Sequence, residues 1–280
     1  MWSLLELIED PLMFTIVDIG AALSETPSYQ SLLNSGRARL IGFEPNAAEC
    51  ERLNAHYGPP HRFFPCFVGQ GGYEIFHETT WNLTGSLFEP NQSLNEKFHA
   101  LAEAVTLVAR HPVKTTRLDD VVGIDDVDMI KIDVQGAELS VFQNAPRILG
   151  CTLMIQTEVE FVEIYKDQPL FADVDKHLRG AGFQFHTFQG GFGMRSFKPL
   201  ARVDDPNNGF RQLLWSDAVY VRDWMRLDQL STEKLKKYAV LLHDLMGSYD
   251  LCKAVLDEVD RRTQGRLGER YLARLAARTV

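Results

Sequence analysis

Between residues 14 and 222, short runs of β-branched and apolar residues alternate with longer stretches of helical periodicity. Phe14-Thr15-Ile16-Val17-Asp18 reads as a first, buried strand. The helix expected after it ends near Asn34-Ser35-Gly36, with Gly36 as its C-cap. Leu40-Ile41-Gly42-Phe43-Glu44 reads as a second strand, and Pro45-Asn46 opens a helix whose inner face carries Cys50 and Leu53. His61 to Val68 is a weaker strand, because Pro65 has no N–H for a ladder and points to a sheet edge. Residues 69 to 104 are the least regular, and Val113 to Thr116 forms a short extended piece. Val127 to Asp133 is a clear strand, followed by a helix from near Gly136. Cys151 to Val159 gives another strand, and Leu170 to Arg179 a helix with Phe171, Val174 and Leu178 on one face. Gly182 to His186 and Leu213 to Val221 complete seven strands. Strand alternating with helix implies an α/β fold, with a mostly parallel sheet and right-handed crossovers.

The pattern divides the chain into an N-terminal helix at 1–13, an α/β domain at 14–222 and a helical C-terminal extension at 223–280. In the extension, Ser231 caps a helix with Glu233 in its first turn. Leu235, Tyr238, Leu242 and Leu245 follow at helical spacing. Gly247 interrupts the run, and Leu251, Val255 and Val259 resume it. Arg266, Arg270, Arg274 and Arg278 are four apart and form one ridge. Such a ridge is either a solvated face or a docking surface for an acidic partner or a second copy, which would make a homodimer through these helices.

Composition narrows the partners. The chain has 280 residues and a formal net charge of −9, which disfavours nucleic acid, since such binders neutralise phosphates with Lys and Arg. Cys50, Cys66, Cys151 and Cys252 lack metal-site spacing and read as buried thiols of a reducing compartment. The first ten residues lack the basic region of a signal peptide, and no apolar run reaches the roughly 20 residues that cross a bilayer. The expectation is a cytoplasmic protein acting on a small molecule, without nucleic acid or membrane. The sequons at Asn82 and Asn91 are then chance.

The chemistry concentrates at strand ends. Asp18-Ile19-Gly20-Ala21-Ala22 follows the first strand, where a glycine lets backbone approach a ligand and an acid can hold a polar group. Glu44 ends the second strand, where a carboxylate suits two vicinal ribose hydroxyls. Only the first glycine of G-x-G-x-x-G is present, and Glu25 follows, which disfavours a pyrophosphate. Lys131-Ile132-Asp133-Val134-Gln135-Gly136-Ala137-Glu138 puts Asp133 at the ligand-binding edge of the sheet. Glu138 falls in the first turn of the next helix, where the dipole alone would favour it.

Lys131 to Glu138, continuing through Leu139, Phe142, Asn144 and Ala145, resembles the hallmark segment of the FkbM family of S-adenosylmethionine-dependent methyltransferases. Val17 to Ala21, Gly42 to Pro45 and Thr115 to Asp120 fit the same family, and Thr84-Gly85-Ser86-Leu87 resembles its serine-containing loop. The likeness spans roughly residues 14 to 222. It implies a Rossmann-like class I methyltransferase sheet of seven strands, mostly parallel with the last antiparallel. It also implies S-adenosylmethionine as cofactor and O-methylation of a sugar or polyketide-like hydroxyl. By position, Asp18, Gly20 and Ala21 would surround the methionine moiety, Glu44 would hold the ribose, and Asp133 would sit near the transferring methyl. Pro45 and Ser86 join them as cofactor-binding positions. The chain departs from the family at Ala22 and Ser24, where Asn and Gly are usual.

A hydroxyl needs a base to become a good nucleophile. Asp133 is the first candidate, then Glu158 and Glu160 at the end of the adjacent strand, of which one is expected to face the crevice. Asp133 with a glutamate offers oxygen ligands to a divalent metal, though a shared hydrogen-bond network accounts for them equally and no metal is assigned. His111 and His186 are weaker bases. Trp81 and Phe88 are candidates for covering adenine or a sugar face. The acceptor should be selected by residues 69 to 112 and 187 to 212, with Gly190-Gly191-Phe192-Gly193 as a mobile lid. The alternative is a cofactor-binding but inactive interaction protein of the same fold; a nucleotide-dependent oxidoreductase is disfavoured by the missing glycines.

Overall fold

A computed structural model describes residues 2–21, 26–205 and 208–277; Ala22, Ser24, Glu25 and Arg278 lie outside the described residues. Its main sheet has seven strands: β1 (Phe14–Ile19), β2 (Ala38–Phe43), β3 (Arg62–Phe64), β4 (Met129–Ile132), β5 (Met154–Glu160), β6 (Phe183–Met194) and β7 (Leu213–Arg222). They lie in the order β3-β2-β1-β4-β5-β7-β6. The first five are parallel, and β7 runs antiparallel to both neighbours. This is the expected class I arrangement. All six residues of β1 are buried, as a central parallel strand covered on both faces requires. Strand order reverses between β1 and β4, so the crevice for a ligand opens at their C-terminal ends.

Two apolar layers cover the sheet. On one face Val17, Ile19, Ile41, Phe43, Ile130, Ile132 and Ile155 pack with Val141, Phe142, Ile148, Val174 and Leu178 of the crossover helices. On the other, Phe14, Ile16, Leu40, Met129, Met154, Val219 and Val221 pack with Leu235, Tyr238, Leu242, Val255 and Val259. The C-terminal helices, Thr232–Val240, Tyr249–Thr263 and Leu267–Ala276, therefore form one layer of the sandwich. A single 3-10 turn, Leu4–Glu6, replaces the α-helix expected at 1–13, and Trp2 and Leu4 join that same core. The arginine ridge meets acids of this segment: Arg270 lies 3.5 Å from Glu9 and Arg274 pairs with Glu6.

Several strands differ from expectation. Pro65 splits the 61–68 stretch between β3, the edge of the main sheet, and Phe67–Val68, part of a separate three-stranded sheet with Gly72–Thr79 and Leu107–Thr116. Gly72–Thr79 and Leu107–Thr116 expose much of both faces, so neither carries the alternation that betrays a strand. Cys151 ends a helix, Pro146–Cys151, instead of starting β5. Strand β6 runs through to Met194 and includes the glycines read as a lid. Gly193 is needed there because a Cβ would lie 2.0 Å from the Trp215 ring. Cys50 and Cys252 are buried, Cys66 and Cys151 half-buried, and all four are free thiols. No described helix is long and apolar enough to cross a membrane.

One buried charge ties the C-terminal layer to the sheet. Asp128, fully buried before β4, accepts from the Thr15 backbone N–H at 2.9 Å, from Lys234 at 2.6 Å and from Lys237 at 3.1 Å. Removing one partner of a buried ion pair strands the other, at about 3–5 kcal/mol. Asp128→Ala is therefore expected to lose stability of that size in urea denaturation; a loss under about 1 kcal/mol would show that the junction is not what holds the helices down.

Candidate active site

Two cavities open at the C-terminal ends of the parallel strands and share Leu83, Asp133 and Gln135. The smaller, about 380 Å³, is lined by Gly20, Glu44, Pro45, Phe67, Val68 and Ser86. The larger, about 820 Å³, takes Asp18, Ala21, Lys131, Glu158, Glu160 and Asp217, with Trp81, Tyr165 and Trp215 among its aromatic walls. Both fall in the size range of small-molecule sites. The cofactor positions expected from sequence thus divide: Gly20, Glu44, Pro45 and Ser86 face the smaller cavity, Asp18 and Ala21 the larger, and Asp133 both.

Backbone geometry sets the junction. Gly20 has φ +81°, and a Cβ there would meet the Asp133 carbonyl oxygen at 2.0 Å, so only glycine lets the loop after β1 pass the end of β4. Glu44 turns back to accept from the Asn46 backbone N–H at 2.7 Å, and burial raises its pKa. Asn46 in turn caps the helix Ala47–Tyr57 through the Ala48 and Glu49 N–H groups. Asp18 is buried, accepts from the Tyr29 hydroxyl and lies 3.7 Å from the Lys131 ammonium. That carboxylate is the main reason Lys131 is held protonated.

The floor of the larger cavity is polar because β1, β4, β5 and β7 each turn polar side chains onto the sheet face beyond the reach of the C-terminal helices. Gln156 accepts from Ser28 at 2.6 Å and donates to Asp217 at 2.7 Å. Glu158 and Glu160 both line the cavity, contrary to the expectation that only one would. Residues two apart on a strand share a face, so Gln156, Glu158 and Glu160 point the same way.

Carboxyl groups crowd here. Oxygens of Asp133, Glu138 and Glu158 all lie within 4.8 Å of one another. The Gln135 amide nitrogen donates to Asp133 and Glu158, each at 2.8 Å, and Glu138 accepts from the Val134 backbone N–H at 2.8 Å. A hydrogen-bond network therefore accounts for the grouping. Burial, then neighbouring carboxylates, raise Glu158 and Glu160 well above the usual range. Burial pushes Glu138 up to about 7.

Other candidates fall elsewhere. His111 pairs with Glu78 on the exposed second sheet at 2.7 Å, and His186 bonds Ser248. Phe88 packs with the satellite core around Phe98 and Tyr165, whereas Trp81 does line the larger cavity. Gln135, Lys131, Tyr165 and Asp217 were not singled out from sequence. Gln135 and Lys131 stood inside the hallmark segment; Tyr165 and Asp217 carried no local signal.

Glu138 also makes folding pH-dependent. Its pKa rises from 4.5 to about 7 on folding, so the folded state binds the extra proton. Stability is then greatest below pH 4.5 for this group and falls as pH rises through about 7. Glu138→Gln keeps an acceptor for Val134 and should flatten the decline seen in urea midpoints across that window; an unchanged slope would assign it to other groups.

The sequence matches the family described as the methyltransferase FkbM domain over residues 18–185, more than half the chain. A 2-O-methyltransferase, NoeI, of Sinorhizobium fredii (strain NBRC 101917 / NGR234) is 32% identical over 153 residues, covering 50% of this chain and 61% of that protein. The chain thus spans about three fifths of that relative's length. Among solved structures, a putative methyltransferase from Thermoplasma acidophilum aligns over 75% of this chain and 69% of its own at 7% identity, with a TM-score of 0.38. A 16S rRNA (adenine(1408)-N(1))-methyltransferase from Catenulisporales acidiphilia aligns over 79% and 94% at 11% identity, with a TM-score of 0.32. Likeness that low carries no weight for function, and the assignment stands on the family match: this chain belongs to the FkbM family of methyltransferases.

Proposed function

We propose that the chain transfers a methyl group from S-adenosylmethionine to a hydroxyl of a sugar or similar polyhydroxylated small molecule. The observation that carries this reading is the meeting of two cavities at Asp133. The smaller has features a nucleoside needs: Glu44 for the ribose hydroxyls, and Phe67 and Val68 as apolar wall, beside the Gly20 turn that packs on Asp133. It lacks the glycines that a pyrophosphate requires, which suits a cofactor without phosphate. When bound, the cofactor supplies an electrophilic methyl carbon on a sulfonium.

The larger cavity has room and polar groups for an acceptor, with tryptophans on its wall. The 32%-identical relative is a 2-O-methyltransferase, which supports a hydroxyl as the group methylated. Most of the acceleration comes from holding the hydroxyl in line with the methyl, away from water. Asp133, at the junction, accepts the hydroxyl proton as the oxygen–carbon bond forms and the carbon–sulfur bond breaks. Burial raises Glu158 and Glu160 well above the usual carboxylate range, which limits the charge gathered around it.

Titration calorimetry and a methyl-transfer assay on a panel of sugar hydroxyls test the proposal. Wild type should bind S-adenosylmethionine but not NAD, and Asp133→Asn should bind it as well while transferring about 10²–10⁴-fold more slowly. Absence of S-adenosylmethionine binding would remove the reading, and binding without turnover on any acceptor would favour an inactive interaction protein.

A further inference from the structure

Gln135 has no part in the reading above, although it stands where the two cavities meet. Its backbone is left-handed, φ +57°, and Gly136 follows at φ +96°. A non-glycine residue keeps that conformation only where its surroundings over-determine it. Here they do. The Ser86 hydroxyl donates to the Gln135 carbonyl at 2.6 Å. The side-chain nitrogen donates to Asp133 Oδ1 and to Glu158 Oε2, each at 2.8 Å. The Tyr165 hydroxyl, 2.7 Å from the Thr84 carbonyl oxygen and 3.1 Å from Gln135 Oε1, shares its one proton between them. The amide oxygen faces the Tyr165 hydroxyl and its nitrogen faces two carboxyl oxygens, so both ends of the amide have partners.

We infer that Gln135 is a positioning residue whose two amide N–H groups clamp Asp133 and Glu158 into one unit, with one oxygen of each committed to the amide. Its effect on rate rests on the proposed hydroxyl methylation; the clamp itself does not. A donor aimed at a carboxyl group favours the charged form. At Glu158 burial opposes it, as do the surrounding carboxyl groups: Asp133, Glu160 from β5, Glu138 from the first turn of the helix Glu138–Gln143, and Asp217 from β7. Lys131 from β4 faces it as a cation, and Tyr165 closes the far side. Loss of the amide donor therefore shifts the proton equilibrium of Glu158 further toward the protonated form.

The test is Gln135→Leu in the full chain. Carboxyl ¹³C resonances of Glu158, followed by NMR without acceptor or cofactor, should titrate higher than in wild type by about one to two pH units. The acid limb of kcat/KM should move the same way, with kcat reduced and the KM for S-adenosylmethionine unchanged. Carboxyl titrations identical to wild type would overturn the inference whatever the activity does. Because that titration needs no substrate, it separates failure of the clamp from failure of the methylation reading. If Gln135→Leu does not fold, Tyr165→Phe keeps the ring and removes the lock on the amide. It should shift the same resonances upward by less, and no shift would equally overturn the clamp.

Discussion

Carboxyl groups that leave water must find donors or keep their protons, and this constraint shapes the active end of the molecule. Asp133, Glu138, Glu158 and Glu160 converge at the tips of two adjacent strands. Backbone N–H groups and the side-chain amide of Gln135 act as donors, and burial raises Glu138, Glu158 and Glu160 toward their protonated forms. Around that cluster the rest is arranged: Gly20 gives the space that lets β1 and β4 end side by side, Ser86 and Tyr165 fix the loop that carries Gln135, and Lys131 stays charged against Asp18.

The two faces of the sheet are treated differently, and the difference makes the site. Crossover helices cover one face along its length. The C-terminal helices cover the other only where the parallel strands begin and β7 ends, anchored by Asp128 against Lys234 and Lys237. Beyond their reach the same face turns polar, and Asp18, Lys131, Gln156, Glu158 and Asp217 become the floor of a cavity instead of part of a core. A helical tail outside the family's usual span is thus one reason the larger cavity is where it is.

Much of this was legible in the sequence. Strands buried on both faces announce themselves as unbroken apolar runs, so β1, β2, β4 and β5 were found, and strand-end acids after such runs gave Asp18, Glu44 and Asp133. Most of the second sheet stayed hidden, beyond the extended piece at Val113 to Thr116, because Gly72–Thr79 and Leu107–Thr116 bury only His77, Thr79 and Thr115, polar residues that make no apolar alternation. The glycines at 190, 191 and 193 read as a mobile lid, yet Gly193 makes room for Trp215. The sharing of one face by Glu158 and Glu160 follows from the pleat, which turns residues two apart the same way. Gln135 could not be found from spacing, since its importance comes from Tyr165 and Glu158, residues distant in sequence and brought to it by the fold.

The central claim is that one bound molecule bridges from Glu44 to Asp133 while the neighbouring cavity receives the acceptor. A crystal structure with S-adenosylhomocysteine bound tests it most directly. The account requires the ribose hydroxyls on the Glu44 carboxylate and the sulfur at the junction, facing Asp133 and the larger cavity. A ligand seated elsewhere, or with its sulfur turned away from Asp133, would contradict it.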